Sequence, residues 1–369
     1  MLKKNILHIL HSEMGGTADV AFSILQNNKK LFKEEILFSG PSLNKNYVQF
    51  LNKKKITFTY IKHYRFLIIY TIIKSIFFLL KKKNNIIFIH NYQIFSALFF
   101  KLFFNVKLIY IDHKAQNLKN FRDHLSIFLM KFYSYKLIFV SKKIFLLYKK
   151  KFPIYKKKFL YIANPVDTNF YTNNVKKKLS YKKKYFFIGM ASRINTLKLH
   201  SLILKVFLNK KIMNLKIICL FAGEGPSLNL LQKFVNKHKL SKKVKFVGNL
   251  DKSQLKNWYK KLDLYVQATK GEGMSINVLQ ALSMGVPVIA SNVAGNNEVI
   301  QSSKFLGKLF TNDSKDLLNK ILYFYYLDKK YYKKYTLAQR MFVKTHHDEN
   351  LIKSKYLNII NSIKVNNYY

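Results

Sequence analysis

One carboxylate and one guanidinium stand apart in a chain dominated by lysine. Glu272 sits between Gly271 and Gly273 in "KGEGMSINVLQALS" (270–283), just ahead of a helical pattern, and Gln280 follows eight residues later. Glycines on both sides let the backbone approach a ligand closely, and the amides of Met274 and Ser275 present the positive end of a helix to a phosphate or sugar. A carboxylate there is an acceptor for sugar hydroxyls. Counted as helix, the interval to Gln280 rises about 12 Å, roughly a nucleoside's length. Arg193 and Lys198 in "GMASRINTLKLH" (189–200) lie five residues apart across an expected strand-to-helix turn. That spacing lets a planar fork and a point charge converge on one diphosphate. The competing interpretation is a solvated surface pair. Arg193 is the only arginine between 123 and 339, so it is not a default of composition.

Two glycine turns accompany these residues. In "HSEMGGTADVAFSIL" (11–25), Gly15 and Gly16 precede a helical pattern, either as an anion-binding loop or as a plain turn. In "LFAGEGPSLNLL" (220–231), Gly223 and Gly225 either shape a nucleotide pocket or simply make the turn, with Pro226 suited to the first helical position. His113 in "IYIDHKA" (109–115) follows a strand-like run, as a structural hydrogen-bonder or as a group near the chemistry. His346 and His347 are adjacent, so they diverge on a helix and read as surface or cap residues rather than a metal pair. No Asp-x-Asp pair and no Gly-x-Ser-x-Gly elbow occurs, which argues against metal-dependent transfer and serine hydrolysis. The single cysteine, Cys219, excludes a disulfide framework and fits a reducing, cytoplasmic setting.

These residues need rigid elements to hold them. Short apolar runs (5–10, 35–39, 56–61, 86–90, 106–111, 136–140) alternate with helical patterns, and the rhythm restarts at 185–190 and continues through 215–222, 244–247, 262–267 and 286–290. Such alternation predicts parallel sheets covered by helices. The 369 residues suit two domains: 1–171, a lysine-rich linker at 172–184, 185–345, and a C-terminal helix at 346–369 that packs back on the first. Ligands are then expected in a crevice at the strand ends, between the domains. The net charge of +49 draws polyanions, although only four of 66 basic residues are arginine and much of the lysine reads as composition bias. The N-terminal run is too short for a signal peptide, and "FLIIYTIIKSIFFLL" (66–80) is short of a spanning helix and reads as buried or interfacial.

The segment "VKFVGNLDKSQLKNWYKKLDLYVQATKGEGMSINVLQALSMGVPVIASNVAGNNEVI" (244–300) resembles the donor-binding region of the family 4 glycosyltransferases. The likeness extends, in the expected order, to the Gly15-Gly16 loop, the "ANPVDTNFY" stretch, the Arg193 and Lys198 segment and the "LFAGEGP" turn. It implies an α/β chain of GT-B fold, with two Rossmann-like domains facing each other across a cleft. It also implies metal-independent, retaining transfer of a hexosyl-type sugar from a nucleotide-sugar substrate, with no cofactor. The resemblance assigns Arg193 and Lys198 to the donor diphosphate and Glu272, with the Gly273 and Met274 backbone, to the donor sugar. Position 280 goes to the ribose, His113 to the reacting carbon, and the Gly15-Gly16 loop to the phosphates; His113 and Glu272 are the catalytic candidates. Two positions depart from the family: Gln280 where it has glutamate and Leu199 where it has glycine. An amide still bonds ribose hydroxyls, without the carboxylate's charge.

The expected activity is sugar transfer from a UDP- or GDP-linked donor to a glycan or lipid-linked acceptor in bacterial surface polysaccharide or lipopolysaccharide assembly. Tyr64, Arg65, Phe66, Lys81, Lys82 and Lys83 offer a peripheral contact with an anionic membrane at its inner face. The rivals are a GT-B sugar-nucleotide epimerase and a basic membrane- or nucleic-acid-binding protein with a degenerate site. Nucleic acid ranks last, because the chain lacks an aromatic-basic platform motif.

Overall fold

Runs such as "NILHIL" and "IIFIH" are apolar without alternation, and a strand built from them must be covered on both faces, which a parallel sheet between helices provides. The computed structural model describes residues 3–12, 15–26, 28, 30–62, 68–80, 86–90, 94–173 and 184–364. It divides into two units, 1–165 with 349–369, and 166–348, each with its own sheet.

Among the described residues unit 1 holds seven parallel strands: β1 (Lys4–His11), β2 (Phe32–Gly40), β3 (Thr57–Lys62), β4 (Ile86–His90), β5 (Lys107–Asp112), β6 (Lys136–Phe139) and β7 (Phe159–Tyr161). Their spatial order is β3-β2-β1-β4-β5-β6-β7. The helices are α1 (Gly15–Ile24), α2 (Lys45–Lys54), α3 (Ile68–Leu80), α4 (Ile94–Phe103), α5 (Phe121–Tyr133) and α6 (Lys142–Lys151). Leu7, Ile9, Ile87, Ile89 and Leu108 fill one core cluster; Leu10, Ala18, Phe22 and Phe38 fill another across the sheet.

Unit 2 repeats the plan with β8 (Phe186–Ala191), β9 (Ile217–Ala222), β10 (Val244–Phe246), β11 (Leu264–Gln267), β12 (Val288–Ser291) and β13 (Gly307–Phe310), ordered β10-β9-β8-β11-β12-β13. Its helices are α7 (His200–Val206), α8 (Lys210–Met213), α9 (Leu228–Lys237), α10 (Lys252–Lys261), α11 (Ile276–Ser283), α12 (Ala294–Ile300), α13 (Ser314–Tyr325) and α14 (Lys329–His346). Residues 200–213 form two helices rather than one, because Asn209 starts a new one by accepting from Lys211 N at 3.0 Å. His346 is the exposed last residue of α14 and His347 its buried cap.

The units part at 165/166 rather than at 171. Val166 N bonds His347 O at 2.7 Å, Ser283 Oγ bonds Tyr171 O at 2.7 Å, and Arg340 reaches Asn173 O at 2.7 Å, so the 166–173 strap belongs to unit 2. Most of the expected linker (174–183), like Tyr64, Arg65, Phe66 and Lys81–Lys83, lies outside the described residues. No described helix is long and apolar enough to cross a membrane.

The last helix, α15 (Glu349–Ser362), returns to unit 1, where Tyr356 packs on Phe88 of β4 at 6.2 Å between rings. Its C-terminal carbonyls are held by Lys4 on β1, whose Nζ donates to Ile360 O at 2.7 Å and Ile363 O at 2.8 Å. A cation at a helix C-terminus is favoured by both charge and hydrogen bonding. Replacing Lys4 with Met should cost α15 about 1–2 kcal/mol. Amide exchange over 349–362 would then quicken by about tenfold; unchanged protection would show that apolar packing alone holds the helix.

Candidate active site

In unit 2 the strand order reverses between β8 and β11. Open parallel sheets bind ligands at such a point. The loop after β8 carries Arg193 and Lys198, and the loop after β11 carries Glu272.

The turn after β9 shapes residues 192–199. Ser192 N bonds Ala222 O at 3.0 Å, Ile194 N bonds Glu224 O at 2.8 Å and Ser227 N bonds Ile194 O at 3.1 Å. A Cβ at Gly223 would come 2.1 Å from Ser192 O, one at Gly225 2.3 Å from Ile194 O, and their φ angles are +125° and +155°. Both glycines therefore seat the Arg193 loop through close backbone approach. Asn195 Oδ1 then accepts from Leu197 N and Lys198 N, each at 3.1 Å, which turns the chain into α7. Leu199 has a φ of −81°, so this backbone does not demand the family's glycine.

Backbone bonds tie the two loops together. Leu199 N donates to Ala268 O at 3.0 Å and Lys270 N to Leu197 O at 2.9 Å, around an antiparallel bridge between Lys198 and Thr269. Lys198 Nζ is thereby brought 2.5 Å from Glu272 Oε2, with both side chains 19% exposed. Gln267 Nε2 donates to the same oxygen at 3.1 Å. Tyr265 orients that amide, donating to Gln267 Oε1 at 2.7 Å. Burial holds the Tyr265 phenol well above its ordinary range, so it remains a donor and the amide keeps its N–H toward Glu272. Spacing placed Lys198 beside Arg193; the structure seats its ammonium on Glu272, with Arg193 exposed on the same loop.

Helix α11 begins at Ile276, capped by Ser275, whose Oγ accepts from Val278 N at 3.4 Å. Glu272 lies in the coil ahead of it, so the helical rise of about 12 Å expected between Glu272 and Gln280 does not apply. Gln280 is buried, and its Oε1 accepts from the Tyr259 hydroxyl at 3.3 Å. Across 271–276 only Glu272 escapes full burial; Gly273 and Met274 are packed inside. Beneath the loop stands Gly295 at the start of α12, where a Cβ would come 2.1 Å from Gly273 O. Gln267, Tyr265 and Gly295 were not read from the sequence. A glutamine ending the otherwise apolar strand "LYVQ" was the available signal for the first.

Unit 1 has the same reversal between β1 and β4. Gly15 and Gly16 open α1 and are exposed, and a Cβ at Gly15 would meet no atom within 4 Å, so packing does not require glycine there. His113 stands half-buried past β5, in a loop closed by the Lys119 Nζ to Asp112 Oδ2 ion pair at 2.5 Å, whose side chains are fully buried. His113 is not alone: its Nε2 lies 3.1 Å from His90 Nδ1, and His90 Nε2 lies 3.3 Å from His8 Nδ1. Among the described residues no group of three or more His, Cys, Asp or Glu is arranged to hold a metal ion.

Burial pushes His8 and His113 down to about 3 and holds His90 well below its ordinary range, with the neighbouring imidazoles contributing. The unfolded chain thus binds more protons below about pH 6.5, so stability rises with pH and is lost on acidification. His8 and His113 should each contribute about 1.4 kcal/mol per pH unit between about pH 5.5 and 4. In urea unfolding, His8→Phe should flatten the wild-type pH dependence by one ring's share; equal slopes would show that His8 is protonated in the fold.

Residues 172–340 match the family model described as glycosyl transferases group 1. Protein CapJ of Staphylococcus aureus is 29% identical over 151 residues, 40% of this chain and 37% of that protein. The Escherichia coli O-antigen biosynthesis glycosyltransferase WclY is 27% identical over 138 residues, 36% of this chain and 37% of that protein. These matches therefore span well under half of each relative. The crystal structure of Anabaena Alr3699/HepE in complex with UDP-glucose superposes with a TM-score of 0.81 at 15% identity, covering 97% of this chain and 100% of that one. The fold is that of the GT-B proteins, and residues 172–340 are similar to the group 1 glycosyl transferases.

Proposed function

We propose that the protein is a retaining, metal-independent glycosyltransferase that moves a hexosyl-type sugar from a UDP- or GDP-linked donor to a glycan or lipid-linked acceptor in bacterial surface polysaccharide or lipopolysaccharide assembly. The observation that carries this is the convergence of Lys198, Gln267 and Glu272 at the switch point of unit 2, inside the matched segment. The UDP-glucose bound by HepE and the O-antigen biosynthesis named for WclY support the donor class and the pathway class. In the reaction, the bond from the anomeric carbon to the diphosphate breaks and one to the acceptor oxygen forms on the same face. The electron pair goes to the departing phosphate oxygen, which takes the acceptor's proton.

Charge then develops on phosphate oxygens, so fixed cations and helix amides are the main requirement. Arg193 and Lys198 supply the cations. Glu272 holds the sugar hydroxyls and, through its ion pair, the Lys198 ammonium; Gln267 keeps that carboxylate oriented. Met274 and Ser275 present the start of α11, Gln280 takes the ribose, His113 the transferred sugar, and Gly15 and Gly16 the phosphates.

Helix α3 supports an anionic membrane as the setting. Thr71, Ser75 and Leu79 are buried, but the opposite stripe is also apolar: Ile69 is 70% and Phe77 60% exposed, with Ile73 and Leu80 beside them. An apolar stripe left in water calls for a partner. At a net charge of +49, two copies repel while an anionic bilayer attracts, and helices this short lie on a membrane rather than cross it.

Two experiments test these assignments. UDP- and GDP-sugars are screened by thermal shift and nucleoside diphosphate release: one donor should stabilise the protein, Arg193→Ala should weaken it about tenfold to a hundredfold and Glu272→Ala should slow release about a hundredfold. Gln280→Glu should tighten donor binding. No stabilising donor, with both alanine variants like wild type, sinks the transferase assignment; an epimer formed without acceptor favours the epimerase. In flotation with vesicles, the protein should follow phosphatidylglycerol but not phosphatidylcholine, and Ile73→Ser with Phe77→Ser should release it. Equal flotation with both lipids removes the assignment to an anionic surface, and no effect of the serines removes α3 as the contact.

A further inference from the structure

The three histidines of unit 1 are aligned by strand register. In the parallel pairing of β1 with β4, His8 stands opposite Phe88, and in that of β4 with β5, His90 stands opposite Ile111. Side chains two residues apart share a sheet face. His90 is two beyond Phe88 and His113 two beyond Ile111, so all three rings emerge on one face, stepping toward the C-terminal edge. His8 also stacks on Phe88 at 4.7 Å, on the face where Phe88 meets Tyr356 of α15. The ring centroids are 5.6 Å apart from His8 to His90 and 5.4 Å from His90 to His113.

A neutral imidazole has one N–H and one lone pair. His90 spends both inside the ladder, since its Nε2 faces His8 and its Nδ1 faces His113. If His90 Nδ1 carries the hydrogen, it donates to His113 Nε2 and must itself accept from His8 Nδ1–H. If His90 Nε2 carries it, both bonds run the other way. Any mixed arrangement sets two N–H groups or two lone pairs face to face and leaves a buried hydrogen bond unmade. A doubly protonated His90, donating both ways, is disfavoured by its complete burial.

We infer that His8 and His90 are positioning residues for His113, and that the ladder couples the three tautomers so that His8, two strands away, and His113 carry their hydrogen on the same ring nitrogen. Whatever His113 Nδ1 meets is then met by one polarity of bond rather than a mixture. The consequence for catalysis rests on the assignment of His113 to the transferred sugar; the coupling does not.

The coupling is read by nitrogen-15 NMR of the histidine side chains on the full chain. In wild type the three rings should show the same tautomer, a measurement that needs no variant. His8→Phe should change the tautomer populations at His113, a ring it does not touch. His90→Phe should do the same, and His90→Gln, which keeps one donor and one acceptor, should restore a single form at His113. Unlike tautomers in wild type, or an unaltered His113 in both phenylalanine variants, would overturn the inference. Donor titration is scored separately: His8→Phe should weaken donor binding about threefold or more. Coupled tautomers with unchanged affinity would remove the sugar contact of His113 and leave the ladder standing.

Discussion

Two backbone hydrogen bonds, from Leu199 N to Ala268 O and from Lys270 N to Leu197 O, clasp the loops after β8 and β11. The candidate site of unit 2 depends on them, because its ammonium and carboxylate are 74 residues apart in the chain. A partly exposed pair of long side chains is worth at most about 1 kcal/mol and does not hold two loops in place. Backbone groups that would otherwise be buried without partners do. The clasp positions the ion pair, and not the reverse.

Supports beneath the clasp follow the same logic. Gly223 and Gly225 let the turn after β9 press against residues 192–194, and Gly295 lets α12 press against the Glu272 loop. Tyr265 and Gln267 fix the carboxylate from the strand side. A charged group held by such a shell keeps its direction when a ligand arrives, which is what a preorganised electrostatic site requires. In unit 1 the role of clasp passes to strand register, which stacks three imidazoles into one line.

Much of the fold was legible because most strands are buried on both faces and show as unbroken apolar runs. The exceptions, β7 and β13, are short edge strands, where few residues carry the signal. The boundary at 165/166 was not legible, since the strap 166–173 is held by His347, Ser283 and Arg340, all distant in sequence. In the candidate site, Glu272 and Arg193 were visible through glycines and through the scarcity of arginine. His8 lies inside an apolar strand and Gln267 and His90 end theirs, and with no motif around them the sequence did not single them out.

The amino-acid sequence by itself determined the alternation of strands and helices, the glycine turns at strand ends and the identity of the charged residues carried there. Those are local matters, settled by periodicity and by what a backbone without a side chain permits. Only the tertiary structure decided who meets whom: Lys198 sits on Glu272, Tyr259 on Gln280, and His113 at the end of a ladder beginning at His8. The physical reason is that strand order and register, not separation along the chain, bring side chains within hydrogen-bonding distance.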